Sequence, residues 1–254
     1  MNLRRLKQRC TYGWKHAGEI AAEEHVGRLA VFADIHRCYL KYGIWSNQYK
    51  KARFHSLTRE QRDAEGRRLG EENADRERWI KTFFENFRFI RKWSNIKWDT
   101  SPARQARRAR AYAKRYNMGE GCHIGHDVMI ERNHYKWGAI KVGKRVLISK
   151  HVYIDYSGEV EIEDDVKLTN GVIIESHRHN LDAYTRGENV IVPTKLVIRE
   201  RAFVGSRAII LDSCSYIGKN ARVGAGAVVA KDVPDNAVVV GVPAKVVKFI
   251  GGEG

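Results

Sequence analysis

The stretch VGKRVLISKHVYIDYSGEVEIEDDVKLTNGVII, residues 142–174, resumes as LVIRERAFVGSRAIILDSCSYIGKNARVGAGAVV, residues 196–229, and carries aliphatic residues at a spacing of six. Val142, Ile148 and Ile154 form one trio, and Ile162, Leu168 and Ile174 a second. Ile198, Val204 and Ile210 follow, then Ile217, Val223 and Val229. A strand repeats every second residue and a helix about every 3.6, so neither element continued alone gives four trios of sixes. A solenoid with three short flat faces per coil does, with one hexapeptide per face and one aliphatic side chain pointing inward from each. Such a coil cannot bury its apolar face alone, so stacked coils share one core. The residue after the inward one is small or polar at Gly143, Ser149, Gly205, Gly218 and Gly224. That suits corners, where glycine tolerates unusual φ.

The spacing breaks in three places. Eight residues separate Ile154 from Ile162, a two-residue bulge near Tyr156-Ser157-Gly158, and seven separate Ile210 from Ile217, an insertion around Ser213-Cys214-Ser215. From Ile174 to Ile198 the gap is 24 residues, and ESHRHNLDAYTRGENVIVPTK within it is polar. It reads as a loop, at about 175–197, thrown out from one corner, and loops on a rigid scaffold are where function concentrates. Upstream, GEGCHIGHDVMIERNHYKWGAIKVG already spaces Ile124 and Ile130 by six, so a partial coil precedes the clean register.

Charge divides the chain. Residues 1–118 hold 28 Lys+Arg against 13 Asp+Glu, nearly all of the net +16, which places a boundary near 117–121. Two regions follow: a basic α-helical region, 1–118, and a solenoid domain, 119–254. Cys10, Cys38, Cys122 and Cys214 show no paired spacing, which reads as reduced thiols of a cytoplasmic protein. No apolar run approaches the ~20 residues of a membrane span, and the basic N-terminus lacks the apolar core of a secretory signal.

In the first region Thr58 and Gln61 form a capping box for a helix running to about Leu69. Trp79, Phe83, Phe87 and Ile90 make an aromatic stripe on a second helix, for which ordinary packing is the plainer reading. Ser101-Pro102 opens a third helix, rich in arginine, with Ser as N-cap and Pro at the first helical position. This charge fits four partners: nucleic acid, an anionic membrane surface, an acidic or lipid-linked glycan, and solvent alone. Nucleic acid is the weakest, because no recognisable module accompanies the charge.

The most specific text is VGAGAVVAKDVPDNAVVVGVPAKVVK, residues 223–248. It resembles the C-terminal signature of the hexapeptide-repeat, left-handed β-helix acyltransferases, among them the galactoside, maltose, xenobiotic and polysaccharide O-acetyltransferases. The resemblance covers roughly residues 119–250. It implies a left-handed parallel β-helix behind an α-helical N-terminal region, acetyl-coenzyme A as co-substrate, and a homotrimer. It also implies a histidine base at the start of the long loop, which gap-free placement puts at His179, followed by Asn180-Leu181-Asp182; His177 is the competing choice. Imidazole suits the task, because a base with pKa near neutral takes the hydroxyl proton as the oxygen attacks a thioester.

The family's acceptor-binding asparagine falls at Ser149, whose hydroxyl lacks the two-ended geometry of an amide. Asp155, beside the bulge, offers the acceptor a carboxylate, against the plainer reading of a corner residue in solvent. By the same resemblance the pantetheine arm lies along Thr169, Ser206, Ala225 and Ala230, and the nucleotide phosphates meet Lys245 and Lys248. The expectation is an O-acetyltransferase acting on a sugar hydroxyl in surface polysaccharide synthesis, without a required metal. Two alternatives share the fold. A gamma-class carbonic anhydrase would draw zinc ligands from His123, His126, His151, His177 and His179, and a trimeric scaffold would have no activity.

Overall fold

The computed structural model describes residues 15–20, 22, 28–42, 48–49, 52–134, 137–187 and 190–251; Cys10 lies outside them. The chain divides into two compact units, Met1–Ile80 and Lys81–Gly254. The second begins well before the change from helix to strand near residue 118, because the last helical residues pack on the solenoid.

The first unit contains helix α1, Arg28–Tyr42, and the first part of helix α2, Arg59–Trp93. Its core gathers Ile20, Val31, Ile35, Tyr49, Phe54 and Leu69. The expected capping box forms: the Thr58 N–H donates to Gln61 Oε1 at 3.0 Å and the Gln61 N–H to Thr58 Oγ1 at 3.3 Å. The helix it starts does not end near Leu69, however. The two helices read from the sequence are one 35-residue element. Gly66 and Gly70, which cost a helix about 1 kcal/mol each, face Tyr42, where any side chain would collide with its ring or carbonyl.

In the second unit, helix α3, Pro102–Tyr116, is capped as its sequence predicts: Ser101 accepts from the Arg104 N–H, and Asn117 closes the helix in the left-handed region. The solenoid follows, with three parallel sheets. One face stacks His123–Ile124, Leu147–Ile148, Lys167–Leu168, Phe203–Val204, Arg222–Val223 and Ala237–Val240, closed by the antiparallel Lys245–Phe249. The second stacks Met129–Glu131, Tyr153–Asp155, Ile173–Ile174, Ile209–Ile210 and Val228–Val229. The third stacks Ala139–Val142, Glu159–Ile162, Lys195–Ile198 and Tyr216–Ile217. All twelve residues of the four trios are buried in one core, each contributing about 1.5–3 kcal/mol.

The corner glycines are required for a reason other than φ. Gly205 does not have positive φ; its absent Cβ would lie 2.6 Å from the backbone N of Ala225 on the next coil. Positive φ falls two residues further on, at Asp127, His151 and Arg207, and at the glycines Gly171 and Gly226.

Helix α3 and the end of α2 cover the first coil. Tyr112 donates to the Val128 carbonyl at 2.9 Å, and Tyr116 and Asn86 donate to the Ile130 carbonyl at 2.9 and 3.0 Å. Terminal coils of a repeat array need such a cap. Two of the five arginines of α3 are spent here: Arg108 is fully buried against Asp99, and Arg115 donates to Asn86 while lying over Phe89. Trp93 stacks on Trp98. The aromatic stripe does not pack as ordinary core. Phe84 and Phe87 are more than half exposed, while Asn86, Phe89 and Trp93 face the solenoid.

Candidate active site

Two edges of the five-stranded face carry the residues picked out by sequence. At one edge, strand Tyr153–Asp155 runs into the bulge, and Ile173–Ile174 of the next coil runs into the long loop. The loop is itself structured: His177–His179 pairs antiparallel with Ile191–Pro193, and helix α4, Leu181–Thr185, starts from an Asn180 cap.

Asp155 is not a corner residue in solvent. It is fully buried, and its carboxylate collects donors from both coils. Ser157 gives its N–H at 3.0 Å and its hydroxyl at 2.5 Å to Oδ1, and the Ser176 N–H reaches Oδ2 at 3.2 Å. His177 Nδ1 lies 2.5 Å from the same Oδ2. A carboxylate beside Nδ1 favours the tautomer with its proton on Nδ1, which leaves Nε2 as the acceptor nitrogen, the chemistry of an oriented base. His179 stands beside it, more exposed, with ring centroids 5.5 Å apart. Glu175 completes the group; burial first, then the Asp155 charge, raises its pKa above the ordinary 4.5. Sequence reasoning named both members of the Asp155–His177 pair but missed the pairing. The coil spacing held the signal, since one coil past Asp155 is Glu175, two residues short of His177.

No family model matches the chain. The galactoside O-acetyltransferase of Lactococcus lactis is 30% identical over 114 residues, 42% of this chain and 55% of that protein. The serine acetyltransferase of Mycobacterium tuberculosis is 35% identical over 112 residues, 43% of each. The chain thus spans about half the length of the curated relatives it matches. Among solved structures, a hexapeptide-repeat-containing acetyltransferase of Vibrio cholerae complexed with acetyl-coenzyme A superposes with a TM-score of 0.55 at 21% identity, covering 66% of this chain and 86% of that one. A maltose O-acetyltransferase of Clostridium difficile gives 0.52 at 24%, covering 69% and 90%. The fold is that of the hexapeptide-repeat acetyltransferases.

The positions that the hexapeptide-repeat resemblance gives to coenzyme A fall mostly on the opposite edge of the face. Thr169 donates its hydroxyl to the Val204 carbonyl at 2.8 Å, and Ser206 lies 3.2 Å from Thr169 Oγ1. Ser149, on the coil before, donates to Asn170 Oδ1 at 2.5 Å, and Ala225 continues the corner. Ala230 instead sits on the histidine edge, where its carbonyl accepts from Ser213. Lys245 and Lys248 lie exposed on the closing antiparallel strand. With strands rising ~3.3 Å per residue, the three residues Tyr153–Asp155 alone hold the two edges ~10 Å apart. One chain therefore does not bring Ser149 and His177 together.

Two groups of described residues have the donor chemistry of a cation site: His126, Asp127 and His151, and Asp155, Glu175 and His177. The first holds two histidines and the second one. No helix among the described residues is long and apolar enough to cross a membrane.

Proposed function

We propose that this protein is an acetyl-coenzyme A-dependent O-acetyltransferase acting on a sugar hydroxyl, in surface polysaccharide synthesis, on the cytoplasmic side. The observation that carries the reading is the buried Asp155–His177 pair at the mouth of the loop. Family pattern favours His179 as base; the geometry favours His177, whose Nδ1 lies against the buried Asp155 carboxylate. In this mechanism Nε2 of His177 takes the acceptor hydroxyl proton while the oxygen attacks the thioester carbonyl. Collapse of the tetrahedral intermediate breaks the carbon–sulfur bond, and the imidazolium returns the proton to the departing thiolate. Asp155 keeps the ring in one tautomer and balances its transient charge. Because the donor is already activated, no covalent enzyme intermediate is required.

The separation of Ser149 from His177 supports a homotrimer, in which cyclic closure sets the histidine edge of one subunit against the coenzyme A edge of its neighbour. The basic region is proposed to dock at an anionic membrane surface or a lipid-linked glycan. Exposed Phe83, Phe84 and Phe87, next to Lys81, Arg88 and Arg91, support this, since basic residues near an anionic leaflet contribute ~1 kcal/mol each. Coenzyme A release measured against sugars, nucleotide sugars, oligosaccharides and amines tests the reaction; turnover of amines alone would overturn the O-acetyl reading. Co-sedimentation with anionic but not neutral vesicles tests the docking.

A further inference from the structure

At the coenzyme A edge lies an open groove of ≈ 360 Å³ lined by Lys150, His151, Asn170, Gly171 and Arg207. Neither Lys150 nor Arg207 has an ion pair among the described residues. Asn170 spends its Oδ1 on the Ser149 hydroxyl at 2.5 Å and the Lys150 N–H at 3.3 Å, which leaves its amide N–H₂ free to donate. His151 is steadied from below: its Nδ1 lies 3.5 Å from Asp127, which is held 2.7 Å from His126. The corner position stacks Asp127, His151, Gly171 and Arg207 on successive coils. Gly226 continues the stack; its φ of 68° and the 70° at Gly171 match the 53°, 57° and 59° of the three members that are not glycine, a left-handed conformation that glycine adopts without strain. A Cβ at Gly171 would stand in ordinary contact with Arg207 Cγ at 3.4 Å, so a longer side chain there would extend into the groove.

We propose that this groove binds a phosphoryl group of the acceptor, which makes the substrate a sugar carried on phosphate or pyrophosphate; the inference rests on the acetyltransferase reading above. An Arg fork and a Lys point charge are the pair that phosphate recognition uses, and the Asn170 amide adds a neutral donor. The donor's own phosphates are assigned elsewhere. Lys245 lies five strands along the face from the strand before Lys150, ~24 Å at ~4.8 Å per strand. The groove is thus at the acceptor end of the corner, beside Ser149.

Calorimetric titration of the full chain with inorganic pyrophosphate tests this, in parallel with acetyl-coenzyme A. Pyrophosphate is expected to bind whether or not acetyl-coenzyme A is saturating, and more weakly as salt rises. The double variant Lys150→Gln/Arg207→Gln and the filling variant Gly171→Asn should each weaken it by about tenfold or more and leave acetyl-coenzyme A affinity unchanged. Asn tolerates positive φ, and a melting curve reports whether that variant folds; if it does not, the double variant decides. Absence of pyrophosphate binding to the wild-type chain overturns the proposal. So does displacement of pyrophosphate by acetyl-coenzyme A together with lost donor affinity in the double variant, which would give the groove to the donor. Failure of acetyl-coenzyme A to bind the wild-type chain would instead sink the acetyltransferase reading.

Discussion

His177 Nδ1 and Asp155 Oδ2 lie 2.5 Å apart, across a corner where the carboxylate has no exposure to solvent. If this pair is the base, His177→Ala and Asp155→Asn should each lower kcat, His177→Ala by on the order of 10²–10⁴, with coenzyme A affinity kept. His179→Ala should cost far less. Single-turnover rates for the three variants decide it, and a dead His179→Ala beside an active His177→Ala returns the base to His179.

Glu175 is raised above its ordinary 4.5 by burial and by Asp155. A carboxyl whose native pKa is raised costs nothing below its unfolded pKa and most above its native pKa. Glu175→Gln should therefore raise Tm at pH 8, with the gain shrinking to nothing as pH falls toward 4. A constant gain across that range would assign the effect to packing.

Gly158 follows the bulge and passes under the loop, where an added Cβ would overlap the backbone carbonyls of Ser176 and Thr194. Overpacking against backbone typically costs ~1–3 kcal/mol. Gly158→Ala should lose about that stability in denaturant melts, and should slow turnover more than Gly187→Ala, a loop glycine with nothing within 4 Å.

A chain starting at Gly119 would lack Asn86, Tyr112 and Tyr116 and so uncover the first coil, including its buried Ile124 and Ile130. An uncovered terminal coil invites edge pairing. Size-exclusion chromatography should find this chain aggregated, whereas Tyr116→Phe in the full chain, losing the hydroxyl proton that faces both Asn86 Oδ1 and the Ile130 carbonyl, should stay soluble and melt lower. A soluble, monodisperse Gly119 chain would contradict the capping role.

Sedimentation of the full chain at micromolar concentration should give a trimer. The stronger test mixes two inactive variants, Ser206→Trp and His177→Ala. If each active site spans two subunits, mixed trimers regain part of the activity; a purely intrachain site regains none.

The solenoid was legible in the sequence because its core is a periodic constraint: an inward residue every sixth position leaves its mark locally, and all twelve positions are buried. The bulge at 156–158, the loop at 175–197 and the Ser101 cap were legible for the same reason, each being a local departure or a local signature. Pairings between coils were not. Asp155 meets His177 only because the bulge and the loop leave the same corner, and Gly171 opens a groove only because Arg207 and His151 flank it on neighbouring coils. Nor does composition distinguish an arginine in solvent from Arg108, which is buried against Asp99. Sequence spacing records what each coil needs for itself; which side chains meet is set by stacking, through contacts between residues on different coils and helices, and this the tertiary structure alone decided.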